Sequence, residues 1–304
     1  MLYFTSRNKY NIIRVWQVCT PIDEEAISYY YREVSYLNLK EFCDGIHLDQ
    51  RAQNILFNYH MDEELYKNYK QHFYNDMFSF FDRIKTEKEY RKLFLYLFVR
   101  FAADAHEGYK LRGIEDDIYF DTFSDIQVWC LNCFWDFGEY GIEEYKWLQD
   151  HVQLRLFKLG RLQFQPHPLD GTLEINGRKV FSNQIILNVH IPQGEPLDNQ
   201  KVEESFEHAI RFFRGINPVF ICDSWLLFPG LNEVLKPESN ILQFQKHFFI
   251  YKVDNNARQA EERIFNKVSD DFSEYQERTN LQRSAKAYLS SGNKLGIGYG
   301  IKLI

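Results

Sequence analysis

Proline is missing from residues 22 to 165, and ten of the 15 glycines lie at Gly160 or beyond. Proline breaks helix interiors and glycine weakens them, so this scarcity excludes a turn-rich β structure from the first half and favours helices there. An excess of basic residues is missing too: 36 Lys and Arg stand against 43 Asp and Glu, a formal charge of −7. Binding along a phosphate backbone draws on dense positive charge to release counterions, which excludes nucleic acid as the main partner. No long apolar run is present. The longest, Leu93 to Ala103, is interrupted by Arg100 and falls well short of the ~20 residues a membrane-spanning helix needs, so no membrane partner is expected. The opening MLYFTSRNKY shows no charged segment followed by an apolar stretch and a cleavage site, so no export signal is expected. Cysteines are few and odd in number (Cys19, Cys43, Cys130, Cys133, Cys222), unlike a secreted disulfide scaffold, and a reduced, cytoplasmic setting follows as the expectation.

What the chain has in abundance is aromatic side chains: 27 Phe, 20 Tyr and 5 Trp in 304 residues. Such rings either fill a core or line an apolar pocket. Apolar residues recurring at three and four positions predict helices near 22–33, 48–58, 60–83, 87–111, 122–137 and 142–152, with Thr122 or Ser124 as the cap of the fifth. These make a helical domain over 1–150. The pattern changes at His151, and residues 151–304 read as a mixed α/β domain, so the fold class is α+β.

In LRLFKLGRLQFQ (154–165), Arg161, Gln163 and Gln165 alternate with Leu162 and Phe164, the period of a strand with one polar face. Asn176-Gly177 between two short apolar stretches predicts a hairpin, and IILNVHI (185–191) a buried strand. Asp198 caps a helix whose apolar face includes Val202, Phe206, Ile210 and Phe213, and VFICDSWLL (219–227) is the next strand. A helical crossover of that length makes those two strands parallel neighbours. Short helices are expected from Gly230 and Ser239, then a strand over 248–253, a helix near 277–290 and a last strand near 295–303.

The crossover is where chemistry is expected. The loop PQGEPLD before a helix N-terminus presents free N–H groups to an anion, although Glu195, Glu203 and Glu204 lie close by. His190 ends the strand before it, with Asn188 on the same face; a histidine there serves as a general base or as a hydrogen-bonded structural residue. Cys222, Asp223 and Ser224 are soft or polar residues in an apolar strand, and His190 is placed to meet one of them if the registers agree. Cys130-Leu-Asn-Cys133 has zinc-like spacing without a second pair, and Asp104, His106 and Glu107 mark either ligands or a solvated helix end, so no metal is expected. Gly296, Gly298 and Gly300 precede no helix, which excludes a dinucleotide fingerprint and leaves a closing strand in tight contact.

Five ordered stretches, LGRLQFQ (159–165), NVHIPQGEPLD (188–198), CDSWLLFPGL (222–231), SNILQFQKHF (239–248) and the glycine-bearing last strand, resemble a family of bacterial acyltransferase-domain proteins with a helical N-terminal domain and a GNAT-like C-terminal domain. The resemblance implies a central sheet whose two parallel strands splay, with an acyl-CoA donor (CoA as substrate) pairing along the exposed strand edge. It implies transfer to an acceptor of unknown identity, an amine by preference. His190 is then the base, with Asp223 and Ser224 beside it; Ile191, Gln193 and Gly194 hold the donor; Arg161, Gln163, Asn188 and Trp225 line the substrate site. The chain departs from the family's pattern in three places. The phosphate loop is reduced to Gln193-Gly194, Asp223 stands where histidine is common, and no tyrosine lies between Phe181 and Ile250 to protonate a departing thiolate. These departures leave two rivals: a binding or interaction protein that keeps the fold, and a thiol-dependent transferase using Cys222. Oligomeric state is not legible.

Overall fold

A computed structural model describes residues 37–214 and 218–304. The expected helix over 22–33 and Cys19 lie outside the described residues. The chain divides into two compact units, one running to Leu159 and including Pro192–Gly194, the other comprising Gly160–Ile191 and Glu195–Ile304.

The described part of the first unit holds helices α1 (Leu39–Gly45), α2 (Gln50–Phe57), α3 (Glu63–Asn75), α4 (Met77–Lys85), α5 (Tyr90–Leu111), α6 (Asp116–Phe123), α7 (Asp125–Phe137) and α8 (Tyr145–Val152), then a short strand β1 (Phe157–Leu159). The single helix expected over 60–83 is two. Asp76 leaves the helical region and its carboxylate accepts the Ser79 N–H, so it ends α3 and caps α4. The helix expected over 122–137 also divides, starting earlier at Asp116. Ser124 sits between the parts without a capping bond, while Thr122 accepts the Lys158 N–H at 2.9 Å. The aromatic residues form the core here: Phe42, Phe73, Phe80, Phe94, Phe98, Phe101 and Phe123 are fully buried. Their rings meet mostly edge to face, as between Phe73 and Phe80 at 5.3 Å, and each such side chain contributes roughly 1.5–3 kcal/mol by leaving water. One buried carboxylate, Asp125, accepts from Trp147 Nε1 at 2.8 Å and meets His151 Nε2 at 3.0 Å.

The second unit carries β2 (Leu162–Pro168), β3 (Leu173–Ile175), β4 (Arg178–Val180), β5 (Ile185–His190), α9 (Asn199–Phe212), β6 (Val219–Ser224), α10 (Asn240–Gln245), β7 (Phe249–Asp254), α11 (Gln259–Phe265), α12 (Asn280–Ser290) and β8 (Ile297–Leu303). Its main strands lie in the order β2-β5-β6-β8-β7, with β5 and β6 parallel and the other pairs antiparallel. β3 and β4 form a separate hairpin around Asn176 and Gly177, both at positive φ as the two-residue turn requires. The strand expected over 219–227 stops at Ser224. Its Oγ accepts the Leu226 N–H and starts a 3-10 turn over Trp225–Leu227. α11 has no counterpart in the expected elements.

The closing strand explains the glycine series. A Cβ at Gly298 would lie 2.1 Å from the Leu227 carbonyl oxygen, and one at Gly300 2.7 Å from Leu227 Cδ1, so β8 packs backbone to backbone against the 3-10 turn. Gly298→Ala is expected to destabilise the protein by about 1–3 kcal/mol, because backbone rather than a flexible side chain must move. Urea unfolding measures this; an unchanged midpoint would show that the turn yields freely.

Candidate active site

β5 and β6 pair through Leu187 opposite Phe220 and Asn188 opposite Ile221. The pairing ends there, although β5 continues to His190 and β6 to Ser224. Beyond Asn188 and Ile221 the two strands run on without a further recorded pair and so frame a notch. If the register were continued, His190 would face Asp223.

Strand alternation decides which side chains share this notch. Gln163 lies opposite His190 and Gln165 opposite Asn188 on β2, so all four point to one face, which Ile221 and Asp223 extend on β6 and Tyr299 on β8. The other face is closed by α9: Phe206 meets Phe220 at 4.9 Å and Phe164 at 6.0 Å. Cys222 and Ser224 belong to that closed face, and both are buried.

The structure thus brings His190, Asn188, Gln163 and Asp223 to one face and does not bring Ser224 or Cys222 to His190. Ser224 is occupied in capping the 3-10 turn. Burial raises the Cys222 thiol above its ordinary range, which disfavours the thiolate that a thiol-dependent reaction needs. Trp225 packs into the second unit's core, and its N–H donates to Gln259 Oε1 at 2.9 Å.

His190 is half-buried, with Nε2 3.0 Å from Gln165 Oε1. This bond holds the imidazole ring in place through Nε2. Gln163 is fully buried beneath it. Arg161 serves the loop rather than an open site: its guanidinium donates to the carbonyls of Pro196 at 3.0 Å and Glu195 at 2.6 Å, and its N–H to Ser205 Oγ at 2.7 Å. Burial lowers its pKa and Glu195 opposes that. At the head of α9, Asp198 accepts the Lys201 N–H and Glu195 pairs with the Lys201 ammonium at 3.1 Å. Ile191 follows β5 directly. Gln193 exchanges amide hydrogen bonds with Asn132 within the first unit, and Gly194 adopts a φ of +113°.

Asp223 reaches solvent at the notch, yet desolvation by the surrounding protein raises its pKa, with Lys252 lowering it in part. Burial, and then the Asp223 charge, push Tyr251 up to about 12, and the same two causes raise Tyr299. Sequence reasoning missed Tyr251, Lys252 and Tyr299. It sought a tyrosine only before Ile250, and the bulge that turns β7 leaves no pattern in composition.

The metal candidates have other partners. Asp104 binds Tyr66 and Lys70, His106 binds Asp116, and burial pushes the Cys130 and Cys133 thiols up to about 12. Among the described residues no three His, Cys, Asp or Glu gather as ligands, and no helix is long and apolar enough to cross a membrane.

Residues 38–154 match the N-acyltransferase N-terminal domain and residues 156–302 the GNAT-like C-terminal domain. The fold is similar to that of an acyltransferase in complex with decanoyl-CoA and teicoplanin, with a TM-score of 0.70 at 18% identity over 99% of this chain and 96% of the other. A mutant acyltransferase in complex with octanoyl-CoA gives the same values. An acyltransferase in complex with CoA and 10C-teicoplanin follows with a TM-score of 0.68, again at 18% identity, 99% and 96%. No curated protein sequence matches the chain.

The raised carboxyl gives a pH-dependent expectation. Because the folded state holds the Asp223 proton more tightly than the unfolded chain does, stability falls as pH rises from the ordinary carboxylate range through the raised value. Asp223→Asn is therefore expected to melt higher than the parent at neutral pH, with the difference closing in acid below the ordinary range. Thermal melts across pH measure it; a variant that melts lower at neutral pH contradicts the assignment.

Proposed function

This chain belongs to the two-domain N-acyltransferase family, and we propose that it transfers an acyl group from an acyl-CoA to an amine at the β5–β6 notch. The observation that carries this reading is the end of strand pairing at Asn188 and Ile221, with His190 on one lip and Asp223 on the other. The CoA, octanoyl-CoA and decanoyl-CoA held by the similar structures support the donor class, and the teicoplanin and 10C-teicoplanin held by two of them support a site for a second substrate.

In this mechanism the donor's amide-rich arm runs along β5 where that strand continues past its last pair with β6. An amine arrives as its ammonium form and must lose a proton before it can attack. His190 accepts that proton on Nδ1, while Gln165 keeps the ring in place through Nε2. The nitrogen lone pair forms a bond to the thioester carbonyl carbon, and the N–H of Ile191 stabilises the oxygen that becomes negative. Collapse of that intermediate breaks the carbon–sulfur bond while the nitrogen releases its second proton to solvent, giving a neutral amide and a CoA thiolate. The thiolate takes the proton held by His190, so one histidine serves both proton steps and no tyrosine acid is required. Asn188, half-buried on the same face, completes the polar surface on which the acceptor rests.

Thermal melting with free CoA and acyl-CoAs of increasing chain length tests the donor site, and thiol release on adding amines tests transfer. The expected result is a donor-dependent rise in Tm for both the parent and His190→Ala, with turnover in the variant reduced by roughly 10²–10⁴-fold. No shift with any donor in a protein that melts cooperatively would leave the rival reading, a binding protein on this fold.

A further inference from the structure

We propose that Asp223, Tyr251 and Tyr299 form a subsite for a cationic group of the acyl acceptor, and that the Lys252 ammonium occupies it until an acceptor arrives. This rests on the amine-transfer reading above and deepens it by placing the acceptor's charge.

Asp223 of β6 lies directly opposite Tyr299 of β8 in antiparallel register, so the two side chains stand side by side on the notch face. On the far side of Tyr299 the register of β7 shifts between Ile250 and Lys252, which makes Tyr251 an extra residue. A bulge of this kind lets two successive side chains oppose one partner and re-aims them. Tyr251 and Lys252 both meet Tyr299 as a result: the two tyrosine rings are 6.4 Å apart, and Lys252 Nζ lies 4.5 Å from the Tyr299 ring centroid. The Asp223 carboxylate and the Tyr299 ring, with Tyr251 beside it, thus stand around a position that already attracts an ammonium.

That combination is the chemistry that recognises a cation, since the ring faces carry negative potential and the carboxylate supplies full charge. It would repel an anionic acceptor. Lys252 is exposed and its flexible stem lets it swing into water when another cation enters. Beside the cluster lies an apolar floor in which Tyr251 packs with Leu169, Ile175, Val180, Ile221 and Ile301, so the group carrying the charge can be hydrocarbon. His190 and Asp223 stand on the two lips of the notch, and Tyr299 is the next strand neighbour of Asp223, so the subsite lies across the notch from His190. Among the described residues, the titratable groups facing Asp223 and Tyr299 are Tyr251 and Lys252 from β7 and, toward Tyr299, Asp254.

The test uses tetramethylammonium chloride as probe, titrated calorimetrically into the full chain at ionic strength held constant with sodium chloride. A quaternary ammonium has no proton to lose, so binding is read without acyl transfer. Saturable binding is expected, tightened several-fold in Lys252→Met and weakened about tenfold or more in Asp223→Asn and Tyr299→Leu, while Tyr299→Phe, which keeps the ring, binds like the parent. Absence of saturable binding in both the parent and Lys252→Met would overturn the proposal, as would unweakened binding in a folded Asp223→Asn. Acyl-CoA melting shifts measured on the same samples separate the two readings. A protein that responds to the donor but never to the ammonium loses only the subsite, and one that binds the ammonium but no donor loses the transfer reading.

Discussion

The parallel ladder between β5 and β6 stops after two residue pairs, and the rest of the candidate site depends on that stop. A continued ladder would pair the backbone of Val189 and His190 with that of Cys222 and Asp223 and leave nothing for a ligand to bond. Because it stops, β5 and β6 each run on past their last shared pair. Both strands keep their other neighbours to the end: β2 pairs with β5 as far as His190, and β8 pairs with β6 as far as Ser224. The notch is therefore framed by rigid strands rather than by loops, which suits a site that must hold a reacting group in place.

Period-two alternation then sorts the residues. One face takes Phe164, Phe220, Cys222 and Ser224 under α9 and becomes core; the other takes Gln163, Gln165, Asn188, His190, Asp223 and Tyr299. The closed face is core, and the polar face carries the residues of the proposed chemistry. Asp223 shows the tension between them, since a carboxyl raised by desolvation is kept where it weakens the fold. Conserving the loop's shape falls to Arg161, whose two hydrogen bonds to the carbonyls of Glu195 and Pro196 tie the crossover to β2. Gln245 does similar work in the second core, donating to the carbonyls of Leu226 and Phe228.

Much of this was legible in the sequence because it rests on local rules. Asn176-Gly177 marked its hairpin, Asp198 its helix cap, and the alternation in LGRLQFQ and IILNVHI its strands, since turn chemistry and side-chain period are written in neighbouring residues. The splits at Asp76 and Ser124 were not legible: apolar spacing continues through both, and only the backbone turn reveals them. Ser224 misled for a related reason. It lies next to Asp223 in sequence, but adjacency along a strand means opposite faces, and which face met His190 depended on a register that no single strand encodes. Tyr299 and the bulged Tyr251 were invisible for the same cause, being brought to Asp223 by pairing between strands far apart in the chain.

Amide hydrogen exchange with and without a nonhydrolysable acyl-CoA analogue tests the notch most directly. The account predicts new protection in peptides covering Val189 to Ile191, where a donor would complete the unfinished edge, with β8 unchanged. Analogue binding that leaves those amides exchanging as before would contradict it.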